Sequence, residues 1–207
     1  LDPNGLILPR YGSLALRSTG KLIVVDTGNG PPSGRLMSDM DSKGIRRDDV
    51  DLVVITHLHG DHVGWNVTDH YPTFPRARYL ISKGDWDYWT DRGMEPNVKD
   101  QVVPLGDLGL LELIEGDYSI TGELTTVPTP GHTPGHFSII VSSAGEKGFI
   151  LGDVAHSPAQ VCHTDWGPTF DVDPRLAEDT RRKIFQLLER KGLQVRTHYP
   201  RKVPFCF

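Results

Sequence analysis

The chain has 207 residues, of which 37% are hydrophobic and 24% are charged, a composition that suits a globular protein with one sizeable core. The formal net charge of −5 argues against a nucleic-acid partner, which usually requires a basic face. No apolar run approaches the roughly 20 residues of a membrane-spanning helix, so no membrane partner is expected. We expect residues 1–207 to form one domain in the cytoplasm, with secretion left open because the chain starts at Leu1 rather than at a methionine.

In the first half of the chain, strand patterns alternate with helix patterns. The predicted strands span residues 13–17, 21–26, 51–56 and 77–81. The first two form a hairpin around Thr19-Gly20, and a Gly/Pro-rich loop follows at residues 28–34. A short helix is predicted at residues 35–43, and another begins after Ser82, whose hydroxyl suits an N-cap.

The second half of the chain continues this alternation. The predicted strands span residues 124–128, 137–141, 148–151 and 194–197. A long helix is predicted to start at Asp173-Pro174, to run to about Arg190 and to stop at Gly192, because aspartate caps, proline suits the first turn and glycine ends helices.

The most informative segment is Thr56-His57-Leu58-His59-Gly60-Asp61-His62, which directly follows a predicted buried strand. Side chains two apart on an extended strand end point the same way, so His57 and His59 can hold one ion from one side. Asp61 and His62 lie past the turn and can reach a second ion. Neutral imidazole and carboxylate are ligands for zinc and similar ions, so the segment predicts a metal site.

Three further predicted strands end in a potential ligand. His132 lies in the block Thr129-Pro130-Gly131-His132-Thr133-Pro134-Gly135-His136, and Asp153 lies in the step Leu151-Gly152-Asp153. His198 follows the last predicted strand. Glycine and proline at these joints favour sharp turns that can aim the side chains into one cleft.

The order of these residues, from Val25-Asp26-Thr27-Gly28 to His198, resembles the metallo-β-lactamase-fold hydrolases over nearly the whole chain. The closer resemblance is to the lactonase and methyl-parathion-hydrolase branches. It is carried by Pro130-Gly131-His132-Thr133-Pro134-Gly135-His136, Gly152-Asp153-Val154-Ala155-His156, Pro158-Ala159-Gln160-Val161 and Phe170-Asp171-Val172-Asp173-Pro174. The resemblance implies the α/β class, as a four-layer αβ/βα sandwich of two mixed β-sheets flanked by helices.

The resemblance also implies a ligand set for two divalent metal ions. One metal is expected at His57, His59 and His132, and the other at Asp61, His62 and His198, with Asp153 bridging both. Zinc is the expected metal, although iron, manganese or cobalt would suit these ligands.

Other residues are expected to surround these ligands. Asp26 is expected to brace the histidine loop from behind, and His136 to support the site by hydrogen bonds. Trp65, His156 and Phe170 are the candidates for the substrate pocket, where aromatic rings would suit an apolar acyl chain or an aromatic leaving group.

The leading hypothesis is hydrolysis of lactones or carboxylic esters, including acyl-homoserine lactones, by a hydroxide that bridges the two metals. Asp61 is the catalytic candidate, because its carboxylate can orient the nucleophile or shuttle a proton. The alternative is an organophosphate triesterase of the methyl parathion hydrolase type. A β-lactamase and a non-catalytic metal-binding module fit less well, and a homodimer is an open option because relatives commonly dimerise.

Overall fold

Short strands and helices alternate along the chain and build two β-sheets. The computed structural model describes residues 12–92 and 95–192, and the backbone of residues 194–196. Within these residues the strands are β1 (Leu14–Ser18), β2 (Lys21–Val25), β3 (Leu52–Val54), β4 (Val67–Thr68), β5 (Tyr71–Pro72), β6 (Arg78–Ser82), β7 (Leu111–Ile114), β8 (Leu124–Pro128), β9 (Phe137–Ser143), β10 (Glu146–Ile150) and β11 (Gln194–Arg196). The α-helices are α1 (Leu36–Ser42), α2 (Gly60–Val63), α3 (Lys83–Asp91), α4 (Pro96–Gln101), α5 (Val103–Asp107), α6 (Ala159–Cys162) and α7 (Pro174–Lys191).

Both main sheets are mixed. The first has the order β1-β2-β3-β6-β7, in which β1 is antiparallel to β2 and the other neighbours are parallel. The second has the order β11-β10-β9-β8, in which β9 is antiparallel to both of its neighbours and β11 is parallel to β10. Strands that run the same way end at the same edge of a sheet, so the residues after β2, β3 and β6 meet, and so do those after β8 and β10.

The two sheets pack face to face, and helices cover their outer faces. Alternate side chains of each strand point to opposite faces, so each sheet contributes to two apolar layers. The layer between the sheets contains Ile23, Val25, Leu52, Val54 and Leu80 from the first sheet and Leu124, Phe137, Ile139 and Ile150 from the second. The outer layer of the first sheet contains Val24, Val53, Ile55, Tyr79 and Ile81, packed on Met40, Val98, Val102 and Leu105 of the helical side. The outer layer of the second contains Phe149 and Leu151, packed on Ile184, Phe185 and Leu188 of α7. The predicted αβ/βα sandwich is therefore confirmed.

The residues that were predicted to begin and end helices do so in the structure. The Asp173 side chain accepts a hydrogen bond from the Leu176 N–H at 3.0 Å at the start of α7, and Gly192 ends that helix with φ +58. Ser82 caps α3 by accepting from the Gly84 N–H at 3.1 Å.

The region between α3 and β8 differs most from the sequence prediction, which left it without elements. It contains α4, α5 and the edge strand β7. Both helices are short and have proline in their first turn, so neither shows a full helical period of apolar residues. Among the described residues, none of the helices combines the length and the hydropathy of a membrane span.

Candidate metal centre

The ends of three strands bring imidazole and carboxylate groups together. His57, His59 and His62 follow β3, with His62 already in the short helix α2. His132 follows β8, and Asp153 lies in a 3₁₀ turn just after β10. The local chain turn at Asp153 depends on Gly152, which has φ +62 and leaves no room for a side chain, since a Cβ there would lie 2.6 Å from Nε2 of His136.

Asp153 lies at the centre of the cluster. Its Oδ2 atom is 3.2 Å from Nε2 of His156, 3.4 Å from Nε2 of His62, 3.6 Å from Nε2 of His132 and 3.9 Å from Nε2 of His57. The Nδ1 atom of His59 lies 3.0 Å from Nε2 of His132. One carboxylate oxygen thus lies among four imidazole nitrogens, three of which belong to predicted metal ligands.

Three sets of side chains have ligand atoms within 4.8 Å of one another: His57, His59 and His132; His57, His62 and Asp153; and His132, Asp153 and His156. The first set is the one predicted for one of the two metals. The second contains two of the residues predicted around the other metal, and the third brings in His156, which was predicted only as a pocket residue.

The two remaining predicted ligands have different positions. The Oδ2 atom of Asp61 lies 3.6 Å from Nε2 of His62, and its side chain is 28% exposed at the side of the cluster. His198 lies outside the described residues.

The cluster fits a divalent cation in its donor chemistry. The Nε2 atom of His57 is buried and has no hydrogen-bond partner in the described part of the chain. Burial, followed by repulsion from His62, lowers the pKa of His57 well below its ordinary value, and burial, followed by repulsion from His132, lowers the pKa of His59 to about 4. Neutral buried imidazoles with a free nitrogen are the form that binds metal ions.

His62 and Asp153 carry opposite charges within the cluster. Burial opposes ionisation of both groups, but the carboxylates of Asp153 and Asp26 raise the pKa of His62 well above its ordinary value. The imidazole of His62 in turn helps to hold the pKa of Asp153 well below its usual range. In the metal-free site the positive charge of His62 thus balances the negative charge of Asp153, and a bound cation would supply that positive charge instead.

Asp26 braces the histidine loop, as its predicted role requires. Its carboxylate accepts hydrogen bonds from the Thr56 N–H at 2.7 Å and from the Thr56 hydroxyl at 2.8 Å. Its Oδ2 atom also lies 2.9 Å from Nδ1 of His62. Because Nδ1 of His62 is held by Asp26, Nε2 is directed towards Asp153.

His136 supports Asp153 rather than joining the cluster. Its Nε2 atom accepts a hydrogen bond from the Asp153 backbone N–H at 2.9 Å. The Nδ1 atom must then carry the ring proton, and it lies 3.1 Å from the Thr129 carbonyl oxygen. Burial, followed by repulsion from His132, lowers the pKa of His136 to about 3, which keeps Nε2 free as an acceptor.

Asp85 links the two histidine-bearing loops and was missed from the sequence. Its carboxylate accepts from the Leu58 N–H at 2.9 Å, from the Thr133 hydroxyl at 2.9 Å and from the Gly135 N–H at 2.6 Å. Leu58 lies between two predicted ligands and Thr133 follows a third. Burial raises the pKa of Asp85, although these three donors oppose that effect. A single acidic residue early in a predicted helix carries no sequence signal for such a role.

Asp171 is a second residue whose role the sequence did not reveal. Its Oδ1 atom lies 2.8 Å from Nδ1 of His132, so it fixes the ring that faces Asp153. The segment that contains Asp171 contributed to the family resemblance, but the pairing joins residues that are 39 positions apart.

A cavity of about 1210 Å³ opens beside the cluster. His59, Asp61, His62 and Asp153 line it together with Phe170, and within the described residues its acidic side chains are those of Asp61, Asp69 and Asp153.

Two of the three predicted pocket residues, His156 and Phe170, line this cavity. The Phe170 ring is 58% exposed and its centroid lies 5.3 Å from that of His156. Trp65 does not line the cavity. It stands behind the loop at residues 29–34, where a Cβ on Gly34 would lie 2.5 Å from the indole Nε1 atom.

Comparison with known proteins gives one family. The family model described as the metallo-beta-lactamase superfamily matches residues 13–193. The N-acyl homoserine lactonase AiiA of Bacillus thuringiensis subsp. kurstaki is 24% identical over 157 residues, which are 76% of this chain and 58% of that protein. The chain thus spans less than two thirds of the length of this curated relative.

Solved structures give a similar result. AidC, a dizinc quorum-quenching lactonase in complex with a product, superposes with a TM-score of 0.80 at 25% identity, covering 90% of this chain and 71% of that one. AbOPH, a hydrolase in the beta lactamase superfamily, superposes with a TM-score of 0.80 at 27% identity, covering 90% of this chain and 70% of that one.

Proposed function

Because the chain belongs to the metallo-beta-lactamase superfamily, we propose that it is a dinuclear metal-dependent hydrolase of lactones and carboxylic esters, acyl-homoserine lactones among them. The observation that carries the proposal is the position of the Asp153 carboxylate, whose Oδ2 atom faces Nε2 of His57, His62 and His132 beside a large cavity. The names of the lactonases AiiA and AidC, to which the chain is similar, support the choice of substrate.

The proposed ligands divide between two divalent ions. His57, His59 and His132 would hold one ion, Asp61 and His62 would hold the other, and Asp153 would lie between them. His198, outside the described residues, would complete the second set. Zinc is the proposed metal because imidazole and carboxylate suit it and because AidC is a dizinc enzyme. When bound, the ions would generate a hydroxide nucleophile near neutral pH and polarise the ester carbonyl.

The residues of the chain have separate parts in this reaction. Asp26 and Asp171 hold the Nδ1 atoms of His62 and His132, so that both rings present Nε2 to the centre of the site. Asp61, whose side chain is 28% exposed, would take a proton from the attacking water and return it to the leaving alkoxide. In a lactone this transfer leaves one product, a hydroxy acid.

A β-lactamase activity ranks behind the ester hydrolases in this proposal because the relatives AiiA and AidC, to which the chain is similar, are lactonases. The carboxylates of the cavity do not by themselves exclude an anionic substrate. Two of them, Asp61 and Asp153, are proposed metal ligands, and the bound cations would offset their charge.

A phosphotriesterase is the second candidate. Phe170 and Trp166, which are 58% and 54% exposed, line a cavity of about 1210 Å³ and would suit the aromatic leaving group of such a substrate. The same ligands and the same proton carrier would serve both reactions.

Metal analysis combined with a paired substrate panel tests the proposal. The purified protein should contain two metal ions per chain and should open an acyl-homoserine lactone faster than it cleaves an aryl phosphotriester or a β-lactam. His59→Ala should abolish hydrolysis, whereas His70→Ala, at an exposed turn histidine, should leave it unchanged. A preference for the phosphotriester would favour the second candidate. A single tightly held ion without any hydrolysis would favour a non-catalytic metal-binding module.

A further inference from the structure

Arg181, on helix α7, is buried to 1% exposure, which is rare for an arginine. Its Nε atom donates a hydrogen bond to the Val154 carbonyl at 2.8 Å, and its Nη1 atom donates to the Thr164 carbonyl at 2.8 Å. Its Nη2 atom lies 3.6 Å from Oδ2 of Asp171. One guanidinium group therefore contacts three separate points of the chain.

These three points are the start, the middle and the end of one segment, residues 154–171, which we call the cavity wall. The wall supplies a large part of the cavity lining, including His156, Gln160, Trp166 and Phe170. Its regular structure is limited to the four residues of α6 and the end of a 3₁₀ turn. The backbone hydrogen bonds within the wall form only short local turns, so side-chain hydrogen bonds are needed to connect these turns and to attach them to the rest of the chain.

A buried glutamine ties the wall together from within. The Oε1 atom of Gln160 accepts from the backbone N–H groups of His156 at 2.6 Å and of Ser157 at 3.0 Å, while its Nε2 atom donates to the Trp166 carbonyl at 2.5 Å. This bonding makes residues 156–166 one unit, which Arg181 attaches to α7.

Both ends of the wall also adjoin the metal centre. Val154 directly follows Asp153, and Asp171 lies 2.8 Å from Nδ1 of His132 through its other carboxylate oxygen. The position of the wall over the cluster is thus set at the points where Arg181 bonds to it.

Packing alone does not require a charged residue here. Helix α7 already packs on the second sheet through apolar residues such as Ile184 and Leu188. Burying a guanidinium costs desolvation, and a methionine of similar length would fill the space. The planar group, however, can bond to several acceptors in fixed directions, which a methionine or a lysine cannot do.

We propose that Arg181 is a positioning residue that fixes the cavity wall over the metal cluster and so sets which acyl or alkyl groups the cavity accepts. The part of this inference that concerns substrates rests on the proposed hydrolase function. Without the guanidinium, residues 154–171 should open more often, and substrates that contact Phe170 and Trp166 should bind more weakly.

Deuterium exchange of the zinc-loaded full chain, together with steady-state kinetics, tests this inference. In Arg181→Met, amides of residues 154–171 should exchange at least about tenfold faster, because the loss of even one of the charged hydrogen bonds of Arg181 has about this effect, while amides of residues 52–63 should exchange as in the wild type. KM for a long-chain acyl lactone should rise about tenfold with kcat within about twofold, and the zinc content should stay unchanged. Arg182→Met is the matched control, because Arg182 lies on the same helix but is exposed and pairs with Glu178 and Asp179.

Arg181→Lys keeps the experiment informative if the methionine variant folds poorly. A lysine carries its three donors on one nitrogen and cannot reproduce the separate positions of Nε, Nη1 and Nη2, so Arg181→Lys should show the same local change at smaller size. Equal acceleration in both segments, or loss of zinc from either variant, would overturn the inference, since Arg181 would then serve general stability or the metal site. The exchange measurement needs no substrate. If the wild type cleaves no ester while the wall responds as described, the proposed function fails and the positioning role stands.

Discussion

Asp85→Ala should loosen the contact between the two loops that carry His57, His59 and His132. The substitution leaves the Leu58 and Gly135 N–H groups without their acceptor, whereas the Thr133 hydroxyl can rotate towards another one. Each buried unpaired N–H costs about 1–3 kcal/mol, so the loss is about 2–6 kcal/mol. Burial raises the pKa of Asp85, which means that the carboxylate is itself poorly solvated, and its removal returns part of this loss. We therefore expect a net decrease of about 3 kcal/mol in the free energy of unfolding.

Urea unfolding of the metal-free protein at neutral pH measures this decrease without any contribution from bound metal. Asp51→Ala is the matched control, because Asp51 accepts one backbone hydrogen bond, from the Leu22 N–H at 2.8 Å, away from the cluster. It should cost about 1 kcal/mol. The stability loss of Asp85→Asn should lie between those of Asp85→Ala and Asp51→Ala. The amide oxygen can still accept from the Leu58 N–H and the Thr133 hydroxyl, but the NH₂ group would face the Gly135 N–H.

Zinc competition provides a second measurement on the same variants. Loss of a group that holds metal-ligating loops in place typically weakens metal binding by about 10- to 100-fold, and Asp85→Ala should show this for the first zinc ion that is lost. Asp51→Ala should bind zinc as the wild type does. If Asp85→Ala proved no more destabilising than Asp51→Ala and bound zinc equally well, the role assigned to Asp85 would be refuted.

Three further predictions concern acidity, substrate length and metal removal. Burial, followed by repulsion from His132, lowers the pKa of His136 from 6.5 to about 3 and the pKa of His59 from 6.5 to about 4. Between about pH 6 and about pH 4 these two histidines therefore bind protons in the unfolded chain but not in the folded chain. The free energy of unfolding of the metal-free protein should therefore fall as the pH falls, by about 1.4 kcal/mol per pH unit for each such histidine, and His136→Gln should remove its share of the slope in urea titrations at several pH values. Phe170→Ala should raise KM for a long-chain acyl lactone more than KM for a short-chain one. Leu108→Ala, at another exposed apolar residue, should change neither KM. Equal effects of Phe170→Ala on both chain lengths would contradict a contact between Phe170 and the acyl chain. Treatment with a chelator should abolish hydrolysis and lower Tm, and added zinc should restore both; an unchanged Tm would show that metal binding is not coupled to the folded state.

The predictions from sequence succeeded where a local pattern has one physical meaning. The spacing of apolar residues located β2, β3 and α7, and the pair Asp173-Pro174 with Gly192 located the two ends of α7. The closely spaced histidines and the Pro/Gly-rich block identified residues that do come together in space, in particular the set His57, His59 and His132. The αβ/βα sandwich itself came from the family resemblance, because strand and helix patterns alone fit several arrangements of two sheets.

Other features could not be predicted because they depend on contacts between distant parts of the chain. Asp85 bonds to residues 27, 48 and 50 positions away, and its position in a short helix gives no indication of them. Trp65 was predicted to line the pocket because it lies next to the histidine motif in sequence. The turn after α2 instead directs its side chain behind the loop at residues 29–34, so proximity in sequence was misleading here.

The sequence by itself determined the chemistry that is available, namely buried strands that end in imidazoles and carboxylates, in an order that marks the family. Only the tertiary structure decided how these groups are supported. It placed Asp153 among four imidazoles, joined Asp26 to one histidine loop and Asp171 to the other, linked the two loops through Asp85, and attached the cavity wall to α7 through Arg181. The physical reason is that ligand identity is a property of single residues, whereas the position of a ligand is set by buried hydrogen bonds, which exist only once distant segments have packed together.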